Sequence, residues 1–352
     1  METLTTKLAD QWADLKSAQP QMRIRNAAEK LGVTEVELLA TKCGDGVSRL
    51  KPHFTAILAE IESLGKVMAL SRNEDVVHER KGIYQNAELN NPHVGLFVGE
   101  DIDLRIFLSC WGSAFAVEEE NRGKVRKSLQ FFAKDGQAVH KIYLTPKSNE
   151  AKFDDLVQKF LAEDQSPIEE VEPKADKAVE KADAEIDVDA FQKSWINLKD
   201  THHFFGMLKK YGLSRTQALR LAPEGNYAVK VANSALRDII SLAAAEETPI
   251  MVFVGNPGMI QIHTGPVKKL LDHNEWFNVM DPDFNLHVKE PAIAESWVVR
   301  KPSEDGVVTA LECFNAKGEQ IVQLFGKRKP GIPELENWRS IVSRVEQDSI
   351  IG

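Results

Sequence analysis

The sequence predicts an α+β fold made by internal duplication, each half a large antiparallel β-sheet with flanking helices. Helix-like periodicity leads each half and strand-like alternation follows, without the regular strand–helix alternation of a parallel sheet. Blocks of the first half also recur, in the same order, in the second. An acidic, apolar-poor stretch separates the two. These observations set the expected boundaries: a first repeat over 1–162, an acidic flexible linker over 163–188 and a second repeat over 189–352.

The repeat rests on three anchors. Leu31-GVTEVELLA-Thr41 matches Tyr211-GLSRTQALRL-Ala222, each a helix end, a glycine and a Thr or Ser opening the next helix, at an offset of 180. Leu96-Phe97-Val98-Gly99 pairs with Val252-Phe253-Val254-Gly255 at an offset of 156. Ser128-LQFFAKDGQAVHKIY-Leu144 pairs with Ala310-LECFNAKGEQIVQLF-Gly326 at 182. The last pair reads as two hairpins: Leu129 to Ala133 with Ala138 to Leu144 about Lys134-Asp135-Gly136, and Leu311 to Phe314 with Gln320 to Phe325 about Ala316-Lys317-Gly318.

The 352 residues are 43% apolar and 28% charged, a globular composition long enough for two cores. No apolar run reaches membrane-spanning length and no secretory signal opens the chain. Cys43, Cys110 and Cys313 lie far apart, which excludes a disulfide framework or zinc ribbon and suits a reducing cytoplasm. The net charge of −9 is concentrated between Glu163 and Asp189, where eleven acids meet three lysines. That segment is too polar to bury a core and reads as a solvated linker, with a fragile helical turn around Lys174 to Ala184. The near-neutral remainder argues against a nucleic-acid partner.

The usual nucleotide-binding, zinc-protease and serine-hydrolase fingerprints are absent. The unusual local feature is Lys199-Asp-Thr-His202-His203-Phe-Phe-Gly206-Met207, which reads as part of one helix from Phe191 to Tyr211. On it His202 shares a face with Phe205 and Gly206, an arrangement suited to axial ligation of a porphyrin iron or to a plain core-and-surface helix. In the repeat His202 falls opposite Met22, so the fold does not require it. Basic residues interrupt apolar segments at Arg105, Arg300-Lys301 and Lys327-Arg328-Lys329, where they can pair with ligand carboxylates or guard strand edges. His78 is a candidate ligand for a second site; His93, His140, His263, His273 and His287 show no ligand-like spacing.

Seven blocks resemble one family across nearly the whole chain outside the acidic segment. They are Leu104-Arg105-Ile-Phe-Leu-Ser-Cys-Trp111, Ser128-Leu-Gln-Phe-Phe132, Val139-His-Lys-Ile-Tyr143 and Asp200-Thr-His-His-Phe-Phe-Gly206. The longer ones are Val254-Gly-Asn-Pro-Gly-Met-Ile-Gln-Ile-His-Thr-Gly265, Asp281-Pro-Asp-Phe-Asn-Leu-His287 and Gln323-Leu-Phe-Gly-Lys-Arg-Lys-Pro-Gly331. The chain thereby resembles the HemS/HmuS/ChuS/PhuS family of bacterial cytoplasmic heme-utilisation proteins. The resemblance implies heme (iron protoporphyrin IX) held in a cleft of the second half facing the first.

It further implies that His202 is the proximal iron ligand, with His203, which replaces the family's usual Gln, as the alternative. Arg105 matches the distal arginine and the catalytic position, with Phe107 the aromatic beside it. Arg215, Lys301, Gln323 and Arg328 match positions at the heme edge. Val322 stands where some relatives carry a tyrosine, which implies one fewer hydrogen bond to that edge. The implied role is heme-iron acquisition, with ring opening by an external electron donor as the leading expectation and delivery to a separate heme oxygenase as the alternative. A heme oxygenase or reductase and an inner-membrane heme transporter are the implied partners, without stable membrane insertion.

Overall fold

The computed structural model of the chain describes residues 2–121, 123–175, 179–329 and 331–349. In the first half, helices α1 (Glu2–Ala18), α2 (Ile24–Leu31) and α3 (Glu35–Ala40) precede strand β1 (Val47–Leu50). Helix α4 (Phe54–Glu60) leads into β2 (Gly65–Arg72), β3 (Val76–Gly82), β4 (Ala87–Glu88), β5 (Gly95–Val98) and β6 (Asp103–Ile106). Then come β7 (Trp111–Asn121), β8 (Lys124–Ala133), β9 (Ala138–Ser148) and helix α5 (Glu150–Phe160).

The second half repeats this order. Helices α6 (Val188–Ile196), α7 (His203–Tyr211) and α8 (Arg215–Arg220) precede β10 (Ala228–Val231). Helix α9 (Ala235–Ala245) leads into β11 (Ile250–Asn256), β12 (Met259–Gly265), β13 (Leu270–His273), β14 (Trp276–Met280) and β15 (Phe284–Lys289). The half closes with β16 (Glu295–Ser303), β17 (Gly306–Phe314), β18 (Gln320–Gly326) and α10 (Glu336–Ser349). Among the described residues no helix is long and apolar enough to cross a membrane.

Hydrogen bonding orders the strands into two nine-stranded sheets, β1-β7-β8-β9-β2-β3-β15-β14-β13 and β10-β16-β17-β18-β11-β12-β6-β5-β4. Read side by side, the two orders match strand for strand, so the α+β duplication expected from the sequence is what the chain builds. The helix-end anchors are equally plain. Gly32 and Gly212 both adopt left-handed backbone, at φ 69° and 67°, to end α2 and α7. Thr34 and Ser214 then cap α3 and α8 by accepting the backbone N–H three residues on. Both expected hairpins form, β8–β9 and β17–β18.

The second sequence anchor is corrected. Strand order makes β11 the counterpart of β2, and β14 the counterpart of β5. Leu96 to Gly99 therefore corresponds to the β14 region and not to Val252 to Gly255. Turn bonds agree: Gly99 N donates to Ile102 O at 2.9 Å, as Asp281 N does to Phe284 O at 3.0 Å. Two buried strands shared a Phe-Val-Gly run, and apolar similarity alone does not distinguish one central strand from another.

The chain packs as two compact units that exchange short pieces: the first holds Met1–Arg72, Glu79–Ala175 and Asn256–Gln261, the second Asn73–His78, Asp176–Gly255 and Ile262–Gly352. Equivalent asparagines fasten the exchanged pieces. In the first unit Asn256 Nδ2 donates to Arg72 O at 3.0 Å and Val139 O at 2.9 Å, while its Oδ1 accepts from Gly258 N. In the second, Asn73 Nδ2 donates to Gly255 O at 3.2 Å and Ile321 O at 2.8 Å, and its Oδ1 accepts from Asp75 N and Val76 N. Met259 and Val76 bury their side chains in the cores of the units that receive them. Gly258 lies so close to Val139, Trp111 and Cys110 that a Cβ would meet them at 2.6, 2.9 and 3.0 Å, and its carbonyl accepts from Trp111 Nε1 at 3.0 Å.

The acidic segment is not the free linker that its composition implies. On the first unit Arg49 pairs with Glu169 and donates to Ser166 O and Ile168 O, and Glu172 N donates to Lys134 O at 2.8 Å. On the second, Glu180 accepts from Ser214 and Arg220, and Gln217 Nε2 donates to Lys181 O and Asp183 Oδ1. Ile186 is buried. Polar side chains, each with a reciprocal partner, hold the segment where apolar burial does not. Of the expected helical turn around Lys174 to Ala184, residues 176–178 lie outside the described residues; a single 3-10 turn forms at Asp183–Glu185.

Asn256→Ala leaves two backbone carbonyls without their donor, so we expect a loss of about 1–3 kcal/mol of stability. Urea unfolding beside an exposed-site control such as Asn91→Ala measures it, and an unchanged midpoint would remove the fastening role assigned to Asn256.

Candidate functional site

The one helix expected from Phe191 to Tyr211 is two. Helix α6 ends at Ile196, and α7 begins at His203 with His202 as its N-cap residue. The interruption is chemical. Asp200 Oδ1 accepts from the backbone N–H of His202 at 2.8 Å and faces His202 Nδ1 at 2.7 Å. A short carboxylate that captures a nearby backbone N–H competes with the helix ladder and starts a new turn.

These hydrogen bonds hold the Asp200 carboxyl below its usual range, the backbone N–H of His202 contributing most. An ionised carboxylate can only accept, so Nδ1 of His202 is the donor, which leaves Nε2 as the nitrogen available to a ligand. The imidazole side chain is 85% exposed. This is the carboxylate–histidine pairing that fixes tautomer and orientation in metal ligation. His203 is also exposed, but among the described residues no hydrogen bond orients its ring.

Phe205, three residues on, is 72% exposed, an unusual position for a large aromatic side chain. At Gly206 a Cβ would meet nothing within 4 Å. Phe204, Met207 and Leu208 turn inward and bury. The first turn of α7 thus presents an oriented imidazole, an open aromatic ring and a bare stretch of backbone to one side.

Beneath that turn lies a buried charge cluster that the sequence reading did not identify. Glu312, on β17, is completely buried. It accepts from Arg215 Nε at 2.8 Å and Nη2 at 2.7 Å, from Lys301 Nζ at 2.7 Å and from Gln320 Nε2 at 2.9 Å. Lys301 Nζ and the Arg215 guanidinium also sit 4.6 and 5.0 Å from the centre of the Phe204 ring. Burial opposes both charges of the Lys301–Glu312 pair. Lys301 is pulled down to about 8, whereas the neighbouring Arg215 and Lys301 cations override burial and bring Glu312 down to about 2. Arg215 and Lys301, both matched to the heme edge by resemblance, are therefore each already paired with one carboxylate. The signal for Glu312 was a lone acid in Ala310-Leu311-Glu312-Cys313-Phe314, an otherwise apolar strand.

Gln323 stands directly across from Glu312 on β18. Its neighbour Val322 is buried and points to the opposite face of the pleat, in the core beneath α9 and α10. A side chain at 322 does not share the face of Gln323. Arg328 approaches Asp305 at 3.5 Å. Arg300 turns away from Lys301 to pair with Glu346.

Arg105 and Phe107 belong to the first unit. Arg105 is on β6, paired with Asp103 and donating to Leu104 O at 3.1 Å, and burial raises the Asp103 carboxyl. Phe107 follows β6, its backbone N–H donating to Gly258 O at 2.9 Å. His78 is wholly buried in the second unit, its ring centre 5.0 Å from that of Phe284. That is a packed core position, with no open side for a large planar ligand.

The Glu312 cluster makes a pH prediction. Its carboxyl is depressed from 4.5 to about 2 in the fold, so its contribution is present above 4.5 and fades as pH falls toward 2. Urea unfolding of Glu312→Gln should show a shallower acid loss over that interval than the parent chain, and identical slopes would remove Glu312 as a source of acid sensitivity.

A family model described as the haemin-degrading HemS.ChuX domain matches residues 32–160 and again 212–345. The hemin transport protein HmuS of Yersinia pestis is 40% identical over 344 residues, covering 97% of this chain and 98% of its own. The crystal structure of holo-PhuS, a heme-binding protein from Pseudomonas aeruginosa, superposes with a TM-score of 0.94 at 46% identity, covering 97% of this chain and 99% of that one. ChuS, a heme degrading enzyme of Escherichia coli O157:H7, gives 0.90 at 37% identity, with 97% and 99% covered. By sequence and by fold, the chain belongs to the HemS/ChuX family and carries its domain twice.

Proposed function

We propose that this protein binds heme, with His202 on the iron, as a step in the bacterial use of heme iron. The Asp200–His202 pair carries the reading: a histidine whose tautomer is set by a carboxylate and whose Nε2 faces outward beside an exposed aromatic ring. Neutral imidazole is a good axial ligand for heme iron, and a carboxylate behind it raises its basicity. Phe205 and the open backbone at Gly206 offer the flat apolar seat that a porphyrin needs. Arg215, supported by Lys301, Gln323 and Arg328, supplies the cationic side for the propionates. His203 is the alternative ligand, one residue further on. Cysteines without partners are consistent with a cytoplasmic setting.

Ring opening with iron release is the function we assign beyond binding, with Arg105 as the distal residue and Phe107 beside it. Its support is the relation to ChuS, itself described as a heme degrading enzyme. Bound heme would supply the redox-active iron, an external donor the electrons, and dioxygen the oxidant whose oxygen atoms end up on the opened ring. Delivery of intact heme to a separate oxygenase is the second reading, favoured by the 46% identity to a heme-binding protein.

Hemin titration followed by absorbance tests the binding. His202→Ala should lose the imidazole-ligated Soret band, and Asp200→Asn should weaken hemin by about tenfold through loss of ligand orientation. An unchanged spectrum in His202→Ala would move the ligand elsewhere. Turnover with ascorbate and catalase separates the two roles. Conversion to a linear tetrapyrrole, slowed in Arg105→Ala, supports degradation, whereas heme that stays intact under turnover supports delivery.

A further inference from the structure

We propose that Glu312 is a positioning residue: it clamps one edge of the Arg215 guanidinium so that the other edge is presented to a carboxylate of the bound ligand. The inference rests on the heme-binding reading and specifies how the carboxylate edge of such a ligand is recognised.

The geometry divides Arg215 in two. Nε and Nη2 are committed to Glu312 in a bidentate pair. Among the described residues Nη1 makes no hydrogen bond, and the side chain is 22% exposed, so this end of the fork faces outward. Glu312 is saturated, with each oxygen accepting two donors: Oε1 takes Arg215 Nη2 and Lys301 Nζ, and Oε2 takes Arg215 Nε and Gln320 Nε2. It cannot swing away to follow a ligand. With two cations against one anion, the cluster keeps one uncompensated positive charge, and an anion in reach of Arg215 Nη1 completes it.

The duplication supplies the control. Strand register places Gln130 of the first unit where Glu312 stands in the second: Gln130 pairs across with Phe115 and Lys141, Glu312 with Trp297 and Gln323. Gln130 is neutral, buried and satisfied by Ser128 at 3.1 Å. At the position of Arg215, one residue after the helix cap, the first unit has Glu35, which pairs with Lys141. At the position of His202 it has Met22, which is buried. The first unit thus builds the same strand and helix with a different buried pair, Lys141 with Glu35, and with no carboxylate on the strand itself. A buried carboxylate with two cations is costly to assemble, and here it occurs in the repeat that also carries the oriented histidine.

Two accounts of the cluster predict opposite signs. If charge alone attracts the ligand, removing the Glu312 carboxylate leaves two unopposed cations and hemin binds more tightly. If Glu312 positions Arg215, removing it lets the fork drift and hemin binds more weakly. We expect Glu312→Gln to weaken hemin by about tenfold, the loss of one charge-assisted hydrogen bond, while hemin dimethyl ester, which lacks free carboxylates, binds as it does to the parent chain.

Arg215→Lys, at a partly exposed position, keeps the charge but loses the fork, and should reproduce the same selective loss. It decides the matter alone if Glu312→Gln does not fold. Tighter hemin binding in Glu312→Gln, equal weakening of hemin and ester, or a parent chain indifferent to esterification would each overturn the positioning role. A parent chain that binds neither compound would instead remove the heme reading beneath it.

Discussion

Two short turns, each held by the side chain of one asparagine, decide how this chain is put together. After β2 and after β11 the backbone carries a few residues out of its own unit, and Asn73 and Asn256 fasten them to carbonyls of the unit that receives them. Each core then contains a side chain that its own half of the sequence did not provide, Val76 in one and Met259 in the other. A duplication alone would permit two independent domains, but the exchange makes each unit incomplete without the other half of the chain. This also explains why Val254 to Gly265 is so distinctive a block. Its asparagine donates to two carbonyls, its Gly258 leaves no room for a Cβ, and its Met259 fills a core. The chemistry there is structural.

What could be read from the sequence follows the range of each signal. The helix–glycine–cap anchors and both hairpins were legible because their information is local: a left-handed glycine, a Thr or Ser cap, a turn between alternating strands. The false anchor at Phe-Val-Gly failed because every central strand of a buried sheet is apolar, and pairing is decided by register with distant partners. The linker was misread for the opposite reason. Composition recorded its lack of apolar residues but not Arg49, more than a hundred residues away, whose guanidinium collects Glu169 and two carbonyls. Helix periodicity likewise ran through Asp200, whose carboxylate ends one helix and starts another.

At the site, the ligand position was legible and its supports were not. His202 stood out by its local composition and because the matching position of the first repeat is Met22. Glu312 did not, since a single acid in an apolar strand is seen only once the fold puts Arg215, Lys301 and Gln320 around it. Arg215 and Lys301 were recognised as cations, but their shared carboxylate was not, because sequence shows a charge and not its partner. The same limit applied at Val322, whose face of the strand became clear only from the pleat.

The two repeats show how one scaffold diverges without being rebuilt. The cap geometry, the hairpin and the strand order are common to both, while side chains at the site differ, among them Met22 against His202, Glu35 against Arg215, Gln130 against Glu312 and Lys141 against Gln323. In the first unit Met22 and Gln130 are buried and Glu35 pairs with Lys141. In the second, the histidine is turned out by Asp200, an aromatic ring is left in solvent and a carboxylate is sunk beneath it with an excess of cations. Each of those features opposes folding: exposed apolar area gains nothing, and buried ions must be desolvated. Such local conflicts concentrate where a protein does its chemistry. The twin buries an ion pair of its own, Lys141 with Glu35. Only the second unit combines an outward histidine and an exposed ring with a buried carboxylate facing two cations. It is the unit shaped for a ligand that is flat, apolar across its face, metal-bearing at its centre and anionic along one edge.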